Sequence, residues 1–250
     1  MYVNNAQCDV YIGKGAGKKL MEELTAARES VRIVSPFISK LLITRLKELR
    51  QKGVAVELVT VEGGQGKELS EVYHILDQHV HIDGKARNRR KLLRKALCAC
   101  WVLAALGMLL GGYLLVNQKV VPMAYLLVAM PVLAVMLYLI HRGFRNIRIY
   151  SYSYSPPFPL RMISREDDQG YLFNYLHSKI YIIDDRIAYL GSLNFTHSGT
   201  KYNHETRVRL TDKESVAKIL EEFRHLMDEA PFPESDFSAL AKRYFREPFN

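Results

Sequence analysis

His177 to Asn194 reads HSKIYIIDDRIAYLGSLN: a His-x-Lys pair, four residues, Asp184, six residues, then Gly191-Ser192-x-Asn194. Leu176 to Ile183 is rich in β-branched and aromatic residues and reads as a strand, so His177 and Lys179 project from one face. Arg186 to Leu190 reads as a second strand running into Gly191. Ser192 and Asn194, two residues apart, then offer a hydroxyl and an amide NH2. An imidazole, a fixed ammonium and two neutral donors suit a phosphodiester, supplying a nucleophile, a cation and partners for the non-bridging oxygens. Asp184 falls on the corner between the strands, where a carboxylate can tie the turn together.

This run resembles the HKD signature of the phospholipase D superfamily of phosphodiesterases. Upstream, Ala26 to Ile38 (AARESVRIVSPFI) is similar to the superfamily's first helix–strand unit, whose strand ends in a Ser-Pro-Phe-like run, here Ser35-Pro36-Phe37. The resemblance covers roughly residues 16–82 and 145–230. It implies an α/β sandwich with a central mixed sheet flanked by helices, and a histidine that attacks phosphorus. Such a histidine needs its far ring nitrogen held by an acceptor. By family pattern that acceptor is Glu205, in Asn203-His204-Glu205; the alternative is a surface ion pair of Glu205 with Arg207 or Arg209. The implied catalytic set is His177, Lys179, Asp184, Ser192, Asn194 and Glu205, with no cofactor and no metal.

The chain holds one such segment, whereas the reaction needs a second histidine to protonate the leaving oxygen. His74, His79, His81 and His141 have no lysine two residues on and precede no Gly-Ser-x-Asn turn. The expectation is a two-fold homodimer, as in small single-motif members, with the active site shared across the interface.

Leu97–Val116 and Val121–Ile140 carry no charged side chain. Each is long enough, at ~1.5 Å per residue, to cross ~30 Å of hydrocarbon. They predict a transmembrane hairpin joined by Asn117-Gln118-Lys119-Val120. The chain thus divides into 1–84, the N-terminal part of the catalytic domain; 85–145, the basic flanks and hairpin; and 146–250, its C-terminal part. Lys85, Arg87, Arg89, Arg90, Lys91, Arg94 and Lys95 precede the first span, and Arg142, Arg145 and Arg148 follow the second. The positive-inside rule places both flanks, and the catalytic domain, on the cytoplasmic side of a cell inner membrane. The polar Met1–Asn5 start shows no cleavable signal pattern.

Without those ten cations the net charge of +9 becomes −1, so the basic character belongs to the membrane flanks. It is poor support for a nucleic-acid surface, and such cations can instead hold anionic lipid head groups. Cys8, Cys98 and Cys100 fit a reducing compartment, and no pair has zinc-site spacing. Gly13–Lys18 (GKGAGK) lacks the spacing and terminal Ser/Thr of a phosphate loop and reads as a turn into a helix. Gly107-x-x-x-Gly111 is a weak hint of helix association.

Helices are expected at about 17–28, 39–52, 213–227 and 237–245, with strands at 31–35, 54–60 and 147–154, an α/β alternation. Another helix is expected after Gly63–Gly66, to about Gln78. Tyr150, Tyr152, Tyr154, Phe158, Tyr171, Phe173 and Tyr175 form an aromatic-rich stretch suited either to a membrane interface or to sheet packing.

The residues that grip phosphate do not choose the substrate. A domain tethered at two points beside a bilayer, and not itself basic, points to a membrane phospholipid, by hydrolysis or by phosphatidyl transfer of the cardiolipin synthase kind. The alternative is a membrane-tethered nuclease acting on DNA or RNA, since single-motif dimers of the superfamily are often nucleases. A silent membrane scaffold is a third reading, disfavoured because every motif position is filled.

Overall fold

Alternate residues of one short strand, Ile180–Ile183, enter two different cores. Tyr181 and Ile183 pack in one buried cluster and Ile180 and Ile182 in the other. That period of two marks a strand covered on both faces. The computed structural model of the chain describes residues 2–4, 6–62, 74–164 and 175–249.

The strands among them are β1 (Cys8–Lys14), β2 (Ser30–Val34), β3 (Ala55–Val61), β4 (Asp77–Ile82), β5 (Tyr150–Ser155), β6 (Leu160–Ile163), β7 (Ile180–Ile183), β8 (Ile187–Gly191) and β9 (His204–Leu210). The helices are α1 (Gly17–Ala26), α2 (Lys40–Gln51), α3 (Gly84–Val116), α4 (Val120–Asn146), α5 (His197–Lys201), α6 (Lys213–Arg224) and α7 (Phe237–Tyr244). α6 runs on into a π-helical turn at His225–Glu229.

Seven strands form a mixed sheet in the order β1-β9-β8-β7-β2-β3-β6, and β4 pairs with β5 in a separate ladder. β2 lies parallel to β3 and β3 to β6; the β2–β7, β7–β8, β8–β9 and β1–β9 pairs are antiparallel. One face is covered by α1, α2 and α7 through Leu20, Leu24, Leu42, Leu46, Leu49 and Leu240. The other is covered by α6 through Val216, Ile219 and Phe223. Leu42, Leu46 and Leu49 recur at helical spacing, and each side chain so buried contributes about 1.5–3 kcal/mol. Asp212 caps α6 by accepting the Ser215 N–H at 2.8 Å, which satisfies one of the free donors at the helix start. The fold is α/β, a mixed sheet flanked by helices and interrupted by an inserted helical hairpin.

The chain divides into two compact units, one of Met1–Gln78 with Tyr154–Phe245 and one of His79–Ser153 with Arg246–Asn250. In the second unit, Asp83 caps α3 by accepting the N–H groups of Lys85 and Ala86 at 2.8 and 3.0 Å. Both α3 and α4 are long and apolar enough to cross a membrane. Trp101, Leu109, Tyr125 and Val128 are among the many large apolar side chains they leave exposed. Gly107 and Gly111 face α4: a Cβ on them would meet Met130 Sδ at 2.8 Å and Leu126 at 3.0 Å. The small residues therefore serve close approach within the hairpin.

Several expectations shift. The helix expected after Gly63 falls mostly on residues 63–73, outside the described residues, and Asp77 and Gln78, expected at its end, lie in β4. The strand expected over Leu176–Ile183 is limited to Ile180–Ile183, because its pairings on both sides stop at the same level: Val34 and Leu190 both register with Ile180. β1 and β9, unmarked by strong turn signals, complete one edge of the sheet. Tyr171 and Phe173 lie outside the described residues.

Candidate active site

With the β2–β7 and β7–β8 pairings both ending at Ile180, the preceding residues leave the ladder and carry His177 and Lys179 beyond it. His177 is exposed while Lys179 is 5% exposed. The Lys179 Nζ donates to the His177 carbonyl at 2.6 Å and lies 3.0 Å from its Nδ1 and 3.3 Å from its Nε2. An ammonium has donors only, so the ring nitrogen it engages must present a lone pair. The i, i+2 spacing thus brings the two side chains together as expected, though without a ladder partner at that level.

The other half of the site comes from the crossing of β8 and β9. Gly191 registers with Arg207, and a Cβ at Gly191 would lie 2.0 Å from the Thr206 carbonyl oxygen. Only glycine fits. The chain then turns so that the Ser192 N–H reaches the Thr206 carbonyl at 3.0 Å. The Ser192 hydroxyl accepts the Thr206 N–H at 3.0 Å and donates to a carboxylate oxygen of Glu205. The other oxygen of Glu205 accepts from Asn203 Nδ2 at 3.1 Å. Glu205 is 8% exposed. Burial pushes the Lys179 ammonium below the ordinary lysine range, and the Glu205 charge opposes that shift.

Beneath these groups the Tyr181 hydroxyl donates to the Leu193 carbonyl at 2.6 Å, fixing the turn that presents Asn194. Burial, above all, pushes the Tyr181 phenol far above its usual range, so it serves as a neutral donor. The Asn194 Oδ1 is buried without a hydrogen-bond partner among the described residues. Beside Lys179 a depression of about 360 Å³ is lined by Ser178, Ile180, Leu190, Gly191 and Glu222. No group of three or more His, Cys, Asp and Glu side chains is disposed to hold a metal among the described residues.

Asp184 stands at the opposite end of β7 from His177. Its backbone is left-handed, with φ 53°, and its carboxylate accepts the N–H groups of Arg28, Glu29 and Ser30 at 2.7–3.2 Å. It ties the β7–β8 corner to the loop entering β2 and lies apart from the other five residues.

Among the described residues, Glu205 makes neither expected contact. The His177 ring engages Lys179, while Glu205 is taken by Ser192 on the turn and by Asn203 just before its own strand. Arg207 instead donates to the Ala16 carbonyl at 2.6 Å, and Arg209 pairs with Glu23 and Asp9. Ser192, expected to offer its hydroxyl outward, has that donor engaged. The sequence reading gave no part to Asn203 or Tyr181, although each lies two residues from a site residue, a spacing that favours a shared face.

Residues 140–227, which include all six expected site residues, match the family described as cardiolipin synthase, PLD-like domain. That segment is phospholipase D-like. A curated relative, mitochondrial cardiolipin hydrolase of Canis lupus familiaris, is 36% identical over 55 residues. That match spans 22% of this phospholipase D-like chain and 22% of the relative's length. Among solved structures, NucT from Helicobacter pylori is 14% identical, with 92% of this chain and 99% of the other covered at a TM-score of 0.48. The phospholipase D family member Nuc from Salmonella typhimurium is 16% identical, with 92% and 100% covered at a TM-score of 0.47. The matched segment of the phospholipase D-like domain begins near the end of α4 and closes in the π-helical turn.

Proposed function

We propose that the chain is a membrane-anchored phosphodiesterase that acts on membrane phospholipids through a phosphohistidine formed at His177. The carrying observation is the buried Lys179 ammonium held on the His177 ring, with the Glu205 carboxylate near enough for its charge to bear on that ammonium. A ring nitrogen attacks phosphorus, a P–N bond forms, and the P–O bond to the leaving alcohol breaks as that oxygen takes a proton. Water or a second alcohol then displaces the histidine, giving hydrolysis or phosphatidyl transfer. Lys179 offsets the charge on the non-bridging oxygens. Asn194, on the turn tied by Tyr181, is assigned contact with the phosphate through its amide N–H groups. Ser192, Asn203 and Glu205 position the pocket, and Asp184 holds the corner.

The leaving oxygen needs a proton from a second histidine. The exposed His177 ring is suited to meet its symmetry mate in a homodimer, each ring serving alternately as nucleophile and acid. The lipid reading rests on α3 and α4, most of whose large apolar side chains are exposed among the described residues, and on the basic flanks, which by the positive-inside rule support a catalytic domain at the cytoplasmic face.

Purified full-length protein should release head group from labelled cardiolipin or phosphatidylglycerol in mixed micelles, with chelator present. Cleavage of single- or double-stranded DNA or RNA without lipid turnover would replace this reading with a membrane-tethered nuclease. Turnover of neither by an intact dimer would make the chain a scaffold.

A further inference from the structure

We infer that the base of the α3–α4 hairpin carries a binding site for a phosphate-bearing anion, occupied in the membrane by the head group of an anionic phospholipid. Arg87, Arg90, Lys91 and Arg94 are spaced i, i+3, i+4 and i+7, which sets all four cations on one stripe of α3. With Phe144 of α4 and Ile149 they line a depression of about 320 Å³. Among the described residues none of the four forms a salt bridge. Like charges at this spacing repel one another, so the stripe is a surface short of an anion.

One of the four is held in place. The Arg90 guanidinium lies over the Phe144 ring, 4.6 Å from its centroid, a cation–π contact that fixes its plane. Its Nε is buried without a hydrogen-bond partner among the described residues, a donor that a phosphate oxygen would satisfy. The mixed lining also fits a lipid, because guanidinium and ammonium groups meet the phosphate while Phe144 and Ile149 offer apolar surface to the glycerol and upper acyl chain. Lys85 and Arg89 lie on the opposite side of the same helix. This site uses none of the residues of the candidate active site. The phosphate chemistry stands on the pocket alone, and the lipid as its source rests on the reading of α3 and α4 as membrane spans.

Full-length protein in zwitterionic micelles would be titrated with phosphatidylglycerol, with phosphatidylcholine and with inorganic phosphate, and bound ligand counted by native mass spectrometry. Three forms are compared: wild type, Arg90→Gln/Arg94→Gln, and the charge-matched Lys85→Gln/Arg89→Gln. Phosphatidylglycerol should bind wild type and the charge-matched variant alike, and the pocket variant roughly tenfold or more weakly, with phosphatidylcholine weak throughout. Saturable phosphate binding lost only in the pocket variant, with no lipid preference, would keep the anion site and reject the lipid as its occupant. Equal loss in both variants, or loss in neither, would overturn the site. Turnover of a soluble phosphodiester by the same three preparations reports separately on His177.

Discussion

Ser192 donates its hydroxyl hydrogen bond to Glu205 and accepts the backbone N–H of Thr206. The carboxylate is thereby fixed at the β8–β9 crossing, where its charge bears on Lys179 while the His177 ring is left to Lys179 itself. Lysine and glutamate together set the charge of the pocket, burial working against the ammonium and the carboxylate for it.

Glu205→Gln should therefore lower the proton affinity of Lys179 further. The active form is the charged one, so the alkaline limb of the activity profile should move to lower pH in Glu205→Gln. It should flatten in Lys179→Arg if that variant turns over, because a guanidinium does not titrate in this range. pH–rate profiles of the three proteins check this; an unmoved limb would separate Lys179 from the reaction. The same lowered proton affinity has a stability sign. A protonated Lys179 costs folding stability, which is regained as pH rises from the folded-state value toward the ordinary lysine value.

His177→Asn should reduce turnover by about 10³-fold or more, the scale expected when a covalent nucleophile that also transfers protons is removed. Mixed with wild type at fixed total protein and allowed to exchange subunits, it should depress activity beyond simple dilution. Strictly proportional loss would mean that each subunit works alone.

Asp184→Ala removes the acceptor of three backbone N–H groups and should destabilise the fold by about 2–4 kcal/mol. Asp184→Asn keeps one acceptor oxygen and tolerates the left-handed backbone, so it should lose less. At a temperature where both remain folded, turnover should stay within about threefold of wild type, since the residue stands at the far end of β7 from the proposed nucleophile. Denaturant titration alongside activity distinguishes this corner role from a chemical one.

Gly191→Ala places a methyl group 2.0 Å from the Thr206 carbonyl. Separating β8 from β9 to admit it should cost about 2–3 kcal/mol, and would also pull Ser192 away from Glu205. A lowered melting temperature together with lost activity is expected; unchanged stability would show that the strands can part freely.

The strands that carry strong local pattern, such as Ser30–Val34 and Ile180–Ile183, were legible in the sequence because both faces are buried and β-branched residues dominate. β1 was not, since Val10, Tyr11 and Ile12 are largely exposed on an edge strand and alternate with no visible polar face. The pairing of His177 with Lys179 was legible from spacing alone. The partners of Glu205 were not, because its nearest competitor, Ser192, is 13 residues away and reaches it only through the β8–β9 register. The end of the expected helix near Gln78 failed for a similar reason: β4 exists by pairing with β5, across about 70 residues of hairpin, which no local window can see.

β3 and β6 are adjacent, parallel strands of the same sheet, yet the whole apolar hairpin separates them along the chain. During synthesis β2 and β3 emerge before β6 and β7 and must wait, with open hydrogen-bonding edges and the face later covered by α6 still bare, until those strands have followed the hairpin out of the ribosome. If the hairpin enters the bilayer as it is made, insertion comes before the sheet can close. Slowing membrane delivery should then expose a half-built sheet to aggregation, and the order of biogenesis is written into the strand order.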